Sequence, residues 1–152
     1  MSQIMKISGV SLLSFCFVII GFLYAERLKK RVKEIQIITE CLRKLKNEIF
    51  YTGKELECVL PIAFSNAQFV DTGGEYPVII GSVLNREEKD LFNDFIRNLG
   101  TDSRDTECEK CEMYIEKFTD FLKSAEGEYK EKARIFKAFG ISLAGLAFVF
   151  FM

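Results

Sequence analysis

The hydrophobic and polar positions between Gly21 and Tyr51 follow a heptad rhythm that organises the chain. The apolar residues step by four, three, three, four, three and four, and they are Leu28, Val32, Ile35, Ile38, Leu42, Leu45 and Ile49. These steps place them on one stripe of an α-helix, with lysine, arginine and glutamate on its other faces. The pattern predicts a long amphipathic helix whose apolar seam another element must cover.

A second segment near the other end of the chain mirrors the first. Its apolar positions again step by three and four, and they are Cys108, Cys111, Ile115, Phe118, Leu122, Ala125, Tyr129, Ala133 and Phe136. No proline interrupts it. We expect the two segments to form long antiparallel helices packed seam to seam, which is the frame of a helical bundle.

Two shorter helices are predicted between them, each from a capping pattern at its start. The first begins at Thr52, with Glu55 three residues on, and Pro61 disturbs its end, so that residues 62–64 continue it after a kink. The second begins at Asn85, with Glu88 three residues on. Its apolar face consists of Leu84, Leu91, Phe92, Phe95, Ile96 and Leu99, and Gly100 ends it.

The stretch from Ser65 to Val83 gives the weakest pattern. Residues 71–74, with the sequence DTGG, predict a loop. Residues 76–80, with the sequence YPVII, have the composition of a short strand. Because the sequence offers no evident partner strand, we expect them instead to plug the core or to begin another helical turn.

Both ends of the chain are apolar and uncharged. The run Ile7–Ala25 is long enough to cross a bilayer as a helix, and a signal peptide is the alternative. The final run, Ala138–Met152, makes about 22 Å of helix, and it spans a bilayer if Ile135 and Phe136 are included. A buried helix is the alternative there. We predict membrane spans at 4–25 and 138–152, with a helical bundle at 26–137.

Basic residues flank both apolar runs on the side of the middle domain. After the first run they are Arg27, Lys29, Lys30, Arg31 and Lys33, and before the last they are Lys130, Lys132, Arg134 and Lys137. By the positive-inside rule, the middle domain is cytoplasmic and both termini lie outside, with the basic flanks touching anionic lipid. A dedicated partner site is the alternative for the basic residues after the first run. The predicted fold is therefore an all-α, membrane-anchored bundle whose two long helices continue into the spans.

Composition argues against several kinds of chemistry. The net charge is −1, which does not favour nucleic acid, and there is no histidine to act as base or metal ligand. The only site-like spacing is Cys108-Glu-Lys-Cys111, and residues three apart on a helix share a face, here the apolar one. We predict buried thiols and no enzyme activity, cofactor, metal or small-molecule substrate. A thiol oxidoreductase using this pair is the enzymatic alternative.

The acidic run from Asp102 to Glu112 is either a solvated helix face or a docking surface for a basic partner. If the protein has an interaction role, exposed charges of the bundle are the best candidates for binding. The predicted partner-binding residues are Arg43, Lys44, Glu48, Asp102, Arg104 and Asp105.

The order of these features resembles the stage III sporulation protein AB family of endospore-forming bacteria. The resemblance rests on Gly21-Phe22-Leu23-Tyr24-Ala25 before the basic stretch and on Glu48-Ile49-Phe50-Tyr51 at the end of the heptads. The turn before the last helix reads Leu99-Gly100-Thr101-Asp102-Ser103, with serine and aspartate transposed relative to the family and Glu107 at the position of a glutamine. Phe136 to Gly140 match the entry to the final span. Residues 65–83 look shorter than the family norm.

This resemblance implies a specific role. Such proteins are similar to the cytoplasmic domain of the type II secretion platform protein. They are expected in the mother-cell membrane around the forespore, with other membrane components of the channel that joins the two cells. The expected partner is a cytoplasmic secretion-type ATPase. A membrane-anchored signalling or sensor module is the alternative function, although short external termini leave little room for a ligand-reading part.

Overall fold

The computed structural model describes residues 2–52, 56–74 and 76–151, and it is mostly helical. Helix α1 spans Ser2–Thr52, α2 spans Leu56–Ala63, α3 spans Arg86–Arg97 and α4 spans Arg104–Phe151. Two short strands, β1 (Val70–Asp71) and β2 (Val78–Ile79), lie between α2 and α3. The all-α prediction is thus confirmed in outline, with two long helices at the predicted positions. The predicted cap at residues 52–55 falls mostly on residues outside the described part.

The described chain divides into two compact units, the larger of which covers Lys30–Ala125. Its core is the predicted seam: Ile35, Ile38, Leu42 and Leu45 of α1 have no exposed side-chain surface. They are covered by apolar residues of the other helices, which are Val59, Leu60, Phe92, Phe95, Cys111, Tyr114 and Phe118. Edge-to-face ring pairs join Phe64 to Phe92 and Phe95 to Tyr114, the arrangement that aromatic quadrupoles favour.

Helices α2 and α3 confirm two predictions from local sequence: that α2 continues past Pro61, and that Asn85 and Glu88 cap the start of α3. Helix α2 includes Pro61 and continues to Ala63, and the amide of Phe64 still donates to the Leu60 carbonyl at 3.0 Å, so one turn survives after the proline. Helix α3 has Asn85 as its N-cap, and the Glu88 carboxylate accepts the Asn85 amide at 2.7 Å. Gly100 follows α3 with φ of +83°, a conformation that glycine adopts without strain.

The expectation for residues 76–80 was wrong. β2 pairs antiparallel with β1, with Val70 opposite Ile79 and Asp71 opposite Val78. The Ile80 amide extends the pairing by donating to the Phe69 carbonyl at 2.7 Å. Each strand has only two residues, which is too short for an alternating pattern to mark β1 in the sequence. The turn between them is closed by the Gly73 amide donating to Asp71 Oδ1 at 2.9 Å.

The second unit combines residues up to Lys29 with those from Glu126 onward. Here α1 and α4 pack through the rings of Tyr24 and Phe136, whose centroids lie 5.8 Å apart. Lys132 donates to the Tyr24 hydroxyl at 2.9 Å. A Cβ added at Gly21 would lie 2.9 Å from Phe136 Cδ1, so glycine permits the close approach of this ring.

Among the described residues, no helix combines the length and the apolar character that crossing a membrane requires. Within the spans predicted at 4–25 and 138–152, the side chains of residues 4–14, 17, 140, 141 and 143–151 lie outside the described part.

Candidate docking surface

The six residues predicted to bind a partner lie on α1 and at the start of α4. On α1, Arg43 and Lys44 are exposed and Glu48 is half-buried, one turn before the end of the helix. On the other side, Asp102, Arg104 and Asp105 are exposed in the turn before α4 and in its first turn. They form two groups 54 to 62 positions apart in the sequence, so any shared surface depends on the tertiary fold.

Arg104 brings the two groups together. Its Nε donates to the Ile49 carbonyl at 2.7 Å. The last carbonyls of a helix lack partners within the helix and carry partial negative charge, so an arginine at this position satisfies one acceptor and complements the dipole. The end of α1 and the start of α4 thereby become one surface. Arg104 is a positioning residue of that surface as well as an exposed cation.

Asp102 also makes contacts within the chain. Its carboxylate forms an ion pair with Lys110, and this hydrogen bond lowers the Asp102 pKa and raises the Lys110 pKa. Lys110 also donates to the Asn98 carbonyl and the Thr101 hydroxyl, each at 3.0 Å. Asp102 is thus engaged in fastening the turn between α3 and α4. Asp105, in contrast, forms no ion pair within the described residues.

Glu107 explains the local fold of that turn. It is buried, and its Oε1 accepts the Asp102 amide at 3.1 Å and also binds Lys110 at 3.3 Å. Its Oε2 is buried without a protein partner. Glu107 stands where the family resemblance led us to expect a glutamine, and a carboxylate here can accept the amide but cannot donate from its second oxygen.

Two exposed aromatic residues at the end of α1 were not among the predicted binding residues. Phe50 is 54% exposed and Tyr51 is 78% exposed, and their ring centroids lie 5.0 Å apart in an edge-to-face pair. Exposed aromatic rings beside an arginine have the composition of protein interaction sites. The signal was present in the sequence, because Phe50 and Tyr51 directly follow Ile49, the last apolar heptad position.

The outward face of α4 carries a regular row of carboxylates. Its members recur at steps of four, three, four and four and are all exposed, and they are Asp105, Glu109, Glu112, Glu116 and Asp120. We call this row the acidic stripe. Two of its members bind a lysine within the chain: Glu112 pairs with Lys46 of α1, and Asp120 with Lys123. The predicted solvated face therefore extends well past Glu112.

A buried ion pair fixes α1 against the start of α3. Arg31 donates from Nε and Nη2 to Glu88 Oε1 at 3.0 and 2.6 Å, and the Glu88 side chain is 1% exposed. Nearby, Glu34 accepts the Val83 amide at 2.9 Å, and desolvation raises the Glu34 pKa. Arg31 was grouped with the basic flank in the sequence, but here it holds the bundle together, whereas Lys33 of that flank is exposed.

The thiols of the C-x-x-C spacing lie in the core, as their helical face predicted. Cys108, Cys111 and Cys41 are all buried in the same apolar cluster. Burial raises the pKa of Cys111 to about 12 and that of Cys41 to about 11, which disfavours the thiolate that nucleophilic chemistry needs. Within the described residues, no group of three or more histidine, cysteine, aspartate or glutamate side chains is arranged to hold a metal ion.

The described residues define a helical bundle that exposes charged faces on its two long helices and an aromatic pair at one end. Comparison with family models gives this class a name: the chain belongs to the stage III sporulation protein AB family, whose model matches residues 6–67 and 80–152. The match is interrupted within the stretch that departs from the family pattern, around the two strands. No curated protein and no solved structure matches the chain.

Proposed function

We propose that this chain is a non-enzymatic membrane platform of the channel between mother cell and forespore, where it docks a cytoplasmic secretion-type ATPase and couples it to other membrane components. Family membership supports a role in sporulation. The uncharged runs Ile7–Ala25 and Ala138–Met152, with their basic flanks, support anchoring in the mother-cell membrane with the middle domain in the cytoplasm.

The observation that carries the docking proposal is the contact of Arg104 with the Ile49 carbonyl. It joins the end of α1, which carries Glu48, Phe50 and Tyr51, to the start of α4, which carries Arg104 and Asp105. A surface with aromatic anchors and charges of both signs suits a specific protein partner, because the rings supply buried area and the charges set orientation. We call it the end surface.

Coupling is proposed to follow from helix continuity. Helix α1 is a single element of 51 residues and α4 one of 48. The backbone hydrogen bonds of an α-helix run along its axis, so the helix cannot shorten without straining them. A displacement at one end is therefore transmitted to the other end. A force that the ATPase applies at the end surface would therefore be carried along both long helices.

The test is binding of the purified full chain, held in a nonionic detergent, to the secretion-type ATPase over a range of salt concentrations. We expect binding that weakens as salt rises, because exposed charges are screened. Asp105→Arg and Tyr51→Ala should each weaken it by about fivefold or more, as expected of residues central to an interface. The matched control is Arg86→Glu, which reverses a highly exposed charge on α3.

No binding by a chain whose helical circular dichroism is intact would refute ATPase docking, and the signalling alternative would then be preferred. Binding that is indifferent to both end-surface variants but sensitive to Arg86→Glu would place the docking surface elsewhere on the bundle.

A further inference from the structure

The acidic stripe of α4 has a counterpart on α1. Arg43 and Lys44 are exposed side by side on the face of α1 that points away from its buried seam. We call these two residues the basic patch. Glu40 lies one turn earlier on the same face, where it accepts a hydrogen bond from Gln36 at 3.3 Å. The basic patch is therefore a local cluster of positive charge within a helix face of mixed sign.

The basic patch and part of the acidic stripe have no ion-pair partner in the described part of the chain. Lys46, close by, pairs with Glu112, so α1 already uses one lysine to bind α4 within the same molecule. Arg43 and Lys44 form no such pair there, and neither do Glu109 and Glu116. Charges of opposite sign are thus exposed on two outward faces of one bundle.

The two clusters also lie at the same level along the helices. The antiparallel helices are in register where Lys46 meets Glu112. With a rise of about 1.5 Å per residue, Arg43 lies about 4.5 Å from that level, and Glu116 lies about 6 Å from it in the same direction. Glu109 lies about 4.5 Å to the other side. A second copy placed alongside in the same orientation therefore brings its acidic stripe level with the basic patch.

From this match in sign and level we infer that the chain associates with a second copy of itself, with the basic patch of one copy bound to Glu109 and Glu116 of its neighbour. Same-orientation packing is the arrangement that two proteins anchored in one membrane must adopt. Because the contact joins two different surfaces, a pair leaves the acidic stripe of one copy and the basic patch of the other unused, so association continues into a row or closes into a ring.

The contact is weak in isolation and sensitive to salt. Exposed ion pairs contribute about 0.2–1 kcal/mol each in water and are screened by salt. Two arginine or lysine side chains against two carboxylates therefore give an association that depends on high local concentration. The shared orientation rests on the membrane anchoring proposed above, but the contact requires no ATPase, so its test is independent of ATPase docking.

The experiment is co-purification of two differently tagged copies of the full chain, expressed together and cross-linked at low salt in their membrane, where their local concentration is high, before purification in a nonionic detergent. We expect the two copies to be recovered together, and the recovery to be lost at high salt. The variant Arg43→Glu with Lys44→Glu should reduce recovery at least tenfold, and so should Glu109→Lys with Glu116→Lys. The control reverses an ion pair on α3, Arg86→Glu with Asp90→Lys, and should leave recovery unchanged.

Mixing the two reversed variants supplies the decisive result. In Arg43→Glu with Lys44→Glu, both the patch and the stripe are negative, and in Glu109→Lys with Glu116→Lys both are positive. Neither variant should therefore associate with itself, but the two should be recovered together. A chain that carries all four reversals has exchanged signs and should associate with itself again. Circular dichroism confirms that each variant is folded, and Arg43→Ala with Lys44→Ala provides a milder version of the first change.

Recovery that survives both reversals, or that mixing does not restore in folded variants, would overturn the inference. Loss of recovery with the α3 control would do the same, because the effect would then not depend on the basic patch and the acidic stripe.

Discussion

The ion pair between Arg31 and Glu88 gives the sharpest prediction about stability. The Glu88 carboxylate receives two donors from Arg31 and the amide of Asn85, with a side chain that is 1% exposed. Glu88→Ala removes all three contacts at once. It also leaves the Arg31 guanidinium, 13% exposed, without its principal partner in a site that water reaches poorly.

The expected cost follows from these contacts. Breaking a buried ion pair by removing one partner costs about 3–5 kcal/mol, and the partial exposure of Arg31 favours the lower end of that range. Loss of the helix cap adds about 1 kcal/mol. We therefore expect Glu88→Ala to lower the free energy of unfolding by about 4 kcal/mol. Glu88→Gln should cost about 2–3 kcal/mol, because glutamine can still cap α3 but carries no charge.

The measurement is urea unfolding of the full chain, followed by the circular dichroism signal of its helices. The matched control is Glu87→Ala, since Glu87 is exposed in the same first turn of α3 and should change the free energy of unfolding by less than about 0.5 kcal/mol. If Glu88→Ala were no more destabilising than Glu87→Ala, the buried pair would not hold α1 to α3, and the reasoning would fail.

Three further predictions follow from burial. Desolvation raises the pKa of Glu34 from its ordinary value of 4.5, so just above pH 4.5 the folded state binds more protons than the unfolded state, and the free energy of unfolding falls as pH rises. Glu34→Gln should flatten this fall when urea unfolding is measured from pH 4 to pH 7. An unchanged dependence of the free energy of unfolding on pH would contradict the prediction. Cys111, with a pKa of about 12, should react with a thiol reagent only on unfolding, while the exposed Cys58 reacts at once. Mass spectrometry of variants that each keep one of the two cysteines measures both reaction rates, and equal rates for Cys111 and Cys58 would refute the prediction. Gly21→Val should force Phe136 aside and lower the midpoint of thermal unfolding, whereas Gly127→Ala, with nothing within 4 Å, should not.

The helical frame could be predicted because its signals are local. Ile35, Ile38, Leu42 and Leu45 recur at helical spacing, and all four are fully buried in the structure. The start of α3 could be predicted for the same reason, since Asn85 and Glu88 of its capping box lie within one turn of the chain. In such cases the residues that determine the structure are neighbours in the sequence.

Two ion-pair and hydrogen-bond contacts that sequence reasoning missed depend on distant partners. Arg31 meets Glu88 across 57 positions, and Arg104 meets the Ile49 carbonyl across 55. Nothing near Arg31 distinguishes it from the lysines beside it, so it was grouped with the membrane-flanking charges. The strand at Val78 was likewise missed because its partner has only two residues.

The candidate binding residues were located by exposure and sign alone, and this gave a mixed set. Arg43, Lys44 and Asp105 are exposed as expected, whereas Asp102 is held by Lys110 and Arg104 supports the end of α1. Charge patterns predict where a solvated face lies. They do not reveal which charged residues of that face already form contacts within the chain, because those contacts depend on the geometry of the turn between α3 and α4.

The small ribbon of β1 and β2 makes the chain tolerant of change at one place. Its ends are held together by strand pairing and by the Ile80 amide on Phe69, so the tip around Gly73 and Gly74 is isolated from the bundle core. Residues added there lengthen a loop whose closure cost grows only slowly with length. The family match is interrupted over this same segment. The tip is thus a natural insertion point for an epitope tag or fluorescent reporter, with which the protein could be followed in a sporulating cell while its helices remain unaltered.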